Sequence, residues 1–136
     1  MTHYPQLLQT VLDTTQPRAL AEFYRELLGL HYRLGDEPPT DGAPDVDWLV
    51  LVDDQEVRRL AFQQVEQLTP TTWPSPEVPM QLHLDCTVPT VEQLAEARRR
   101  AESLGARLIL DRTDDADEPL YVFADLAGHP FCIFVA

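Results

Sequence analysis

His83 stands alone between two leucines in the run Gln81-Leu82-His83-Leu84-Asp85-Cys86. An imidazole can move a proton near neutral pH or bind a metal through a ring nitrogen, and the plain alternative is a half-buried side chain with a structural partner. Cys132 lies in the apolar run Pro130-Phe131-Cys132-Ile133. A thiol becomes a nucleophile when a base such as His83 comes within about 3 Å of it. Cys86 and Cys132 show neither CxxC spacing nor a disulfide-dense pattern, so both are expected as reduced core thiols. Trp73, in a proline-rich stretch, offers a ring that could close over a ligand. The other histidines have plainer roles: His129 at a hairpin turn, His31 at the start of an exposed strand, and His3 in the terminus. Arg98, Arg99 and Arg100 interleave with Glu96 and Glu102 and make a solvated helix face.

The elements that must position these groups follow from periodicity and punctuation. Residues 6–14 are β-rich, Thr15-Gln16-Pro17 supplies a cap candidate and a proline at the first helical position, and Leu20, Phe23, Leu27 and Leu28 form one stripe ended by Gly29. A short strand over 30–34, a loop over 35–45 rich in Pro, Gly and Asp, and a hairpin turning at Asp53 to Val57 complete a β-α-β-β-β unit. Leu68 to Pro79 holds four prolines in twelve residues and reads as a crossing over the surface. The order then repeats: a strand over 80–88, a helix ended by Gly105, a strand over 106–111, an acidic loop, and a terminal hairpin turning at Ala127-Gly128.

The halves also match in letters. Leu12-Asp13 answers Leu84-Asp85, Leu20-Ala21-Glu22 answers Leu94-Ala95-Glu96, Leu28-Gly29 answers Leu104-Gly105, and Asp53 answers Asp125. That common order points to an internal duplication. Neither half is large enough to bury its own sheet face, so the expectation is one α+β domain over residues 1–136. In it, two tandem β-α-β-β-β units, about 6–67 and 80–136 with the crossing at 68–79, form a pseudo-symmetric pair of curved mixed sheets around a cup.

Composition sets the classes of partner. The 136 residues carry 23 acidic and 10 basic side chains, a formal charge of −13, which opposes nucleic acid and anionic membrane surfaces. All ten basic residues are Arg, as a GC-rich genome would produce. No apolar run approaches the roughly 18 residues of a membrane span, and the N-terminus lacks the basic and apolar regions of a signal peptide, so a soluble cytoplasmic protein is expected.

The doubled unit, with DTTQPRALAEFYRELLGL in the first half and QLHLDCTV then FADLAGHPFCIF in the second, resembles the vicinal oxygen chelate superfamily and, within it, the glyoxalase-like domains. The likeness spans nearly the whole chain. It implies a homodimer and a small-molecule site in the cup. In metal-binding members it also implies a divalent ion held by His, Gln or Glu from the first and last strands of each unit. Mapped onto this chain, that set becomes Gln9 (with Leu7 or Val11 as alternatives), Gln63 (or Gln64), His83 and Cys132. Cys132 stands where the family carries Glu, so no carboxylate remains to neutralise a dication. A degenerate, metal-free cup is therefore expected, the alternative being an atypical Zn, Ni, Mn or Fe site on His83, Gln9, Gln63 and Cys132. Asp13 and Asp85 share the face of Gln9 and His83 by strand parity, and either line the cavity or cap the following helices.

Two functional classes fit these residues. One is a binding protein of the bleomycin resistance type, in which Gln9, Gln63, Trp73, His83, Asp85 and Cys132 hold a small molecule without chemistry. The other is a lyase or isomerase of the glyoxalase type, with His83 and Cys132 as the catalytic candidates. A role in assembly without any ligand is the third and plainest.

Overall fold

A computed structural model describes residues 3–136. Its contacts divide the chain into two compact units, meeting in sequence at Gln67 and Leu68. In the first unit, β1 (Thr10–Thr14), α1 (Pro17–Leu28), β2 (His31–Tyr32), β3 (Trp48–Val52) and β4 (Arg58–Gln64) give a sheet of order β1-β4-β3-β2. The second unit repeats this plan with β5 (Leu84–Val88), α2 (Val91–Ser103), β6 (Arg107–Asp111), β7 (Leu120–Ala124) and β8 (Pro130–Val135), in the order β5-β8-β7-β6. In each sheet the first strand pairs with the last in parallel and the remaining pairs are antiparallel, so both sheets are mixed, as expected.

Helix α1 starts at Pro17, as its fixed φ favours. Within the run Thr15-Gln16-Pro17 the cap residue is Gln16, which makes no side-chain cap bond; its amide donates to Thr14 Oγ1 at 3.0 Å. Gly29 ends the helix at φ 69°, in the left-handed region that glycine adopts cheaply. Tyr24 of α1 stacks on Phe62 of β4 at 6.1 Å, and Leu12, Leu20, Leu49 and Phe62 are all fully buried on this side of the sheet. In the second unit Thr90 caps α2 by accepting from the Gln93 amide. Phe123 and Phe131 stack at 5.2 Å, and the Arg98 guanidinium of α2 lies 5.1 Å over the Tyr121 ring. The helix caps thus need neither Asp13 nor Asp85.

Three expected strands come out shorter, each ending where its ladder pairing stops. Residues 6–9 precede β1 because pairing with β4 begins at Thr10 opposite Leu60. Residues 80–83 precede β5 because β8 begins with Pro130, which has no N–H to extend a ladder. The strand expected over 30–34 reduces to His31–Tyr32, because Asp36 Oδ2 takes the Val50 amide at 3.0 Å and ends the pairing.

The repeat is clearest in its two hairpin turns. Asp53 Oδ1 accepts the amides of Gln55 and Val57, and Asp125 Oδ1 accepts those of Ala127 and His129, so one carboxylate holds each turn in the same way. The residue before the second of these donors has positive φ in both, 62° at Glu56 and 93° at Gly128.

In the first unit Arg18 straps the long loop onto α1. It grips Asp45 with two bonds of 2.9 and 2.8 Å, donates to the Asp36 carbonyl at 2.7 Å, and covers the Tyr32 ring at 4.9 Å. The Tyr32 hydroxyl donates to Glu22 at 2.6 Å, and its pKa is pushed up to about 12 by burial and then by that carboxylate. Arg18→Ala should cost about 1–2 kcal/mol, a bidentate ion pair discounted for partial exposure. Urea denaturation and proteolytic nicking within residues 35–47 would read the loss; an unchanged nicking rate would show that the loop holds itself.

Candidate functional site

Strand geometry places His83, Asp85 and Cys132 together. Side chains two apart on a strand share a face, and Asp85 lies opposite Cys132 in the parallel register of β5 and β8. This face turns away from α2, whose side of the sheet is occupied by Phe123, Phe131 and Ile133. His83 Nε2 lies 3.3 Å from Asp85 Oδ1. One ligating atom from each of His83, Asp85 and Cys132 falls within 4.8 Å of the other two. The His83 and Asp85 side chains are 42% and 58% exposed, so a solute reaches them without unfolding anything.

The Cys132 thiol is pushed up to about 11, first by burial and then by the charge of Asp85 and a hydrogen bond to it, with Arg112 pulling the other way and Glu118 adding to the rise. It is therefore a neutral thiol near pH 7 rather than a ready nucleophile. Cys86 faces the opposite side, beside Ile133, and burial pushes it up to about 11 as well. Both cysteines are free. Sequence reasoning did not single out Arg112 or Glu118, which form an ion pair at 3.6 Å. No local sequence pattern marks them: the Arg112 amide bonds to the Leu120 carbonyl and carries the strand pairing on beyond β6, a contact that only the fold makes.

In the first unit the equivalent places hold different residues. Asp13 pairs in register with Gln63 as Asp85 does with Cys132, and the Gln63 amide donates to Asp13 Oδ1 at 3.1 Å. Gln64 lies opposite Thr14, on the α1 side. Two residues before Asp13 comes Val11, the counterpart of His83, while Gln9 sits ahead of β1. The Gln9 amide oxygen is buried and has no hydrogen-bond partner. Trp48 pairs with Gln63 and packs on Val50, Val52 and Ala61. Trp73 is half-buried in the proline-rich crossing, its amide donating to Thr71 Oγ1 at 3.0 Å. His31 lies 2.7 Å from Asp54, and the His129 amide serves the Asp125 turn, as a turn role implies. Two clefts of about 410 and 480 Å³ in this unit both border Glu22, whose charge is already paired with Arg25; the larger also borders Arg18 and Gln64, the alternative to Gln63.

Among the described residues no helix is long and apolar enough to cross a membrane. No curated protein matches the sequence. Solved structures do match in fold. A glyoxalase/bleomycin resistance protein/dioxygenase family enzyme from Burkholderia phytofirmans PsJN is 19% identical, with a TM-score of 0.68 over 94% of this chain and 96% of its own. The fosfomycin resistance protein FosX from Mesorhizobium loti is 10% identical, with a TM-score of 0.66 over 99% and 94%. A mutant of FosX from Listeria monocytogenes, complexed with Mn(II) and 1S,2S-dihydroxypropylphosphonic acid, is 13% identical, with a TM-score of 0.69 over 98% and 94%. At these identities the likeness is one of fold. The model of the glyoxalase-like domain matches residues 9–134, nearly the whole chain, and the protein therefore belongs to the glyoxalase-like domain family.

Proposed function

We propose that this chain is a small-molecule-binding protein of the glyoxalase/bleomycin resistance type. Its ligand engages the second sheet at His83, Asp85 and Cys132, without the family's four-ligand metal centre. The observation that carries this is the convergence of those three side chains, within 4.8 Å of one another, on a face that their half-exposure leaves reachable. They offer a carboxylate acceptor, an imidazole and a weak thiol donor, a set suited to a ligand bearing hydroxyl or amine groups. The net charge of −13 favours a cationic ligand over an anionic one. The phosphonate of the FosX complex accompanies Mn(II); here Asp85 would repel such a group unless a cation stood between them.

Gln9 is a separate ligand-binding candidate within the first unit. A buried amide oxygen with no partner costs about 1–3 kcal/mol, and a ligand N–H or O–H would relieve that cost. Trp73 completes the proposed binding set of the second unit, and Gln63 is proposed beside Gln9 in the first. We also place the protein in the cytoplasm, given its two free cysteines, and expect a homodimer, with Leu7 and Leu8 exposed at 96% and 58% beside the edge strand β1. A second reading, a lyase or isomerase with His83 as base, draws on the 3.3 Å approach of Asp85, which would orient the imidazole.

The test is a thermal-shift and calorimetric screen of EDTA-treated protein against cationic and aromatic natural products and small hydroxylated carbonyl compounds, run beside His83→Ala. Binding that weakens at least tenfold in the variant supports the proposal, and turnover of any carbonyl compound moves it to the second reading. A complete absence of hits with and without added metal would overturn both. Gln9→Met should raise the stability of the free protein by about 1 kcal/mol while weakening ligand affinity, because it removes an unsatisfied polar atom that only the ligand serves. If the variant is instead destabilised, Gln9 has a structural partner and no ligand role.

A further inference from the structure

We propose that His83, Asp85 and Cys132 form a zinc site built within the second unit alone, a proposal that rests on the placement of the ligand-binding face above. The four-residue set implied by the family does not fit this chain as a metal centre. Gln63 has its amide on Asp13, and the first-unit counterpart of His83 is Val11, which has no donor atom. The expectation of a metal-free site rested on the absence of a carboxylate from Gln9, Gln63, His83 and Cys132. Asp85 removes that objection, because the β5–β8 register sets it beside Cys132 and strand parity sets it beside His83.

Distances and charge agree. With Zn–N and Zn–O near 2.0–2.2 Å and Zn–S near 2.3 Å, tetrahedral neighbours stand about 3.3–3.6 Å apart. The His83–Asp85 separation of 3.3 Å already matches such an edge, and the 4.8 Å limit on the cluster leaves about 1 Å for side-chain rotation to close. A neutral imidazole, a carboxylate and a thiolate balance the two positive charges of Zn²⁺. The balanced step is exchange: the Cys132 S–H bond breaks, an S–Zn bond forms, and one proton leaves to solvent. Three protein ligands on a tetrahedral ion leave one position for a ligand oxygen, the pattern of zinc sites that bind substrates. The thiolate sets selectivity, since sulfur and imidazole favour Zn²⁺ over Mn²⁺.

Calorimetric titration of EDTA-treated protein with Zn²⁺, then with Mn²⁺, gives the primary result. We expect 1:1 binding of Zn²⁺ at micromolar affinity or tighter, and Mn²⁺ at least 100-fold weaker. His83→Ala, Asp85→Asn and Cys132→Ser should each weaken Zn²⁺ at least 10- to 100-fold, the loss that even an outer-shell partner causes, while Gln9→Ala and Gln63→Ala leave it unchanged. Circular dichroism of each variant confirms that it is folded. In the Co²⁺-substituted protein, a near-ultraviolet sulfur-to-metal absorption should appear and vanish in Cys132→Ser. No binding, binding indifferent to Cys132→Ser, tighter Mn²⁺ than Zn²⁺, or a loss on Gln63→Ala would each overturn the proposal. The ligand screen on EDTA-treated protein reports separately, so hits there without zinc binding would leave the small-molecule reading standing and remove only the metal.

Discussion

Phe131→Ala is expected to destabilise the protein by about 3–5 kcal/mol, the range for truncating a fully buried aromatic ring. Phe131 is 0% exposed, stacks on Phe123 at 5.2 Å, and lies on β8, which pairs with β5 on one side and β7 on the other. The cavity would open under α2, on the face of the sheet that carries no candidate chemistry. Urea denaturation reads the effect, and the thermal midpoint should fall by roughly 6 °C or more, at about 2–8 °C per kcal/mol for domains near this size. Cys132→Ala, one residue along and facing the other way, removes a single half-buried sulfur and should cost far less while weakening zinc binding at least 10- to 100-fold. That contrast is diagnostic. If the two variants were equally destabilised, β8 would not divide a structural face from a functional one, and His83, Asp85 and Cys132 would be ordinary packing.

The same division explains what could be seen in the sequence. Leu20, Phe23 and Phe62 recur at the period of the elements they line, so the order of strands and helices and the duplication were legible from letters alone. Asp53 and Asp125 were legible too, since a carboxylate opening a turn has amides to accept, and both do so with the same two bonds. His83 and Asp85 share a face by parity, which is local information. Their conjunction with Cys132 is not local, because Cys132 follows Asp85 by 47 residues and only the β5–β8 register brings the two side by side. A slip of one residue in that register would have turned Cys132 toward α2. The strand ends were illegible for a related reason: residues 6–9 look like a strand, but the pairing with β4 starts only at Thr10 opposite Leu60.

Gly128→Ala should be the second most damaging single change, at about 2–5 kcal/mol, and it tests the turn that delivers β8. Two independent costs add. At φ 93° a side chain strains the backbone by about 1–2 kcal/mol. A Cβ at this position would also stand 2.5 Å from Pro70 Cβ, so residues of the crossing must move, as in an overpacked core that costs about 1–3 kcal/mol. Glu56, the counterpart in the first unit at φ 62°, bears only the first cost, so Glu56→Gly should be neutral or stabilising by up to about 1 kcal/mol. Reciprocal urea curves of the two variants decide the matter. A large loss for Gly128→Ala with no loss for Glu56→Gly means that the proline-rich crossing is pinned against the turn preceding Cys132. Damage of less than about 1 kcal/mol in Gly128→Ala means that Pro70 yields freely, and the crossing that carries Trp73 is then loose enough to move over a ligand.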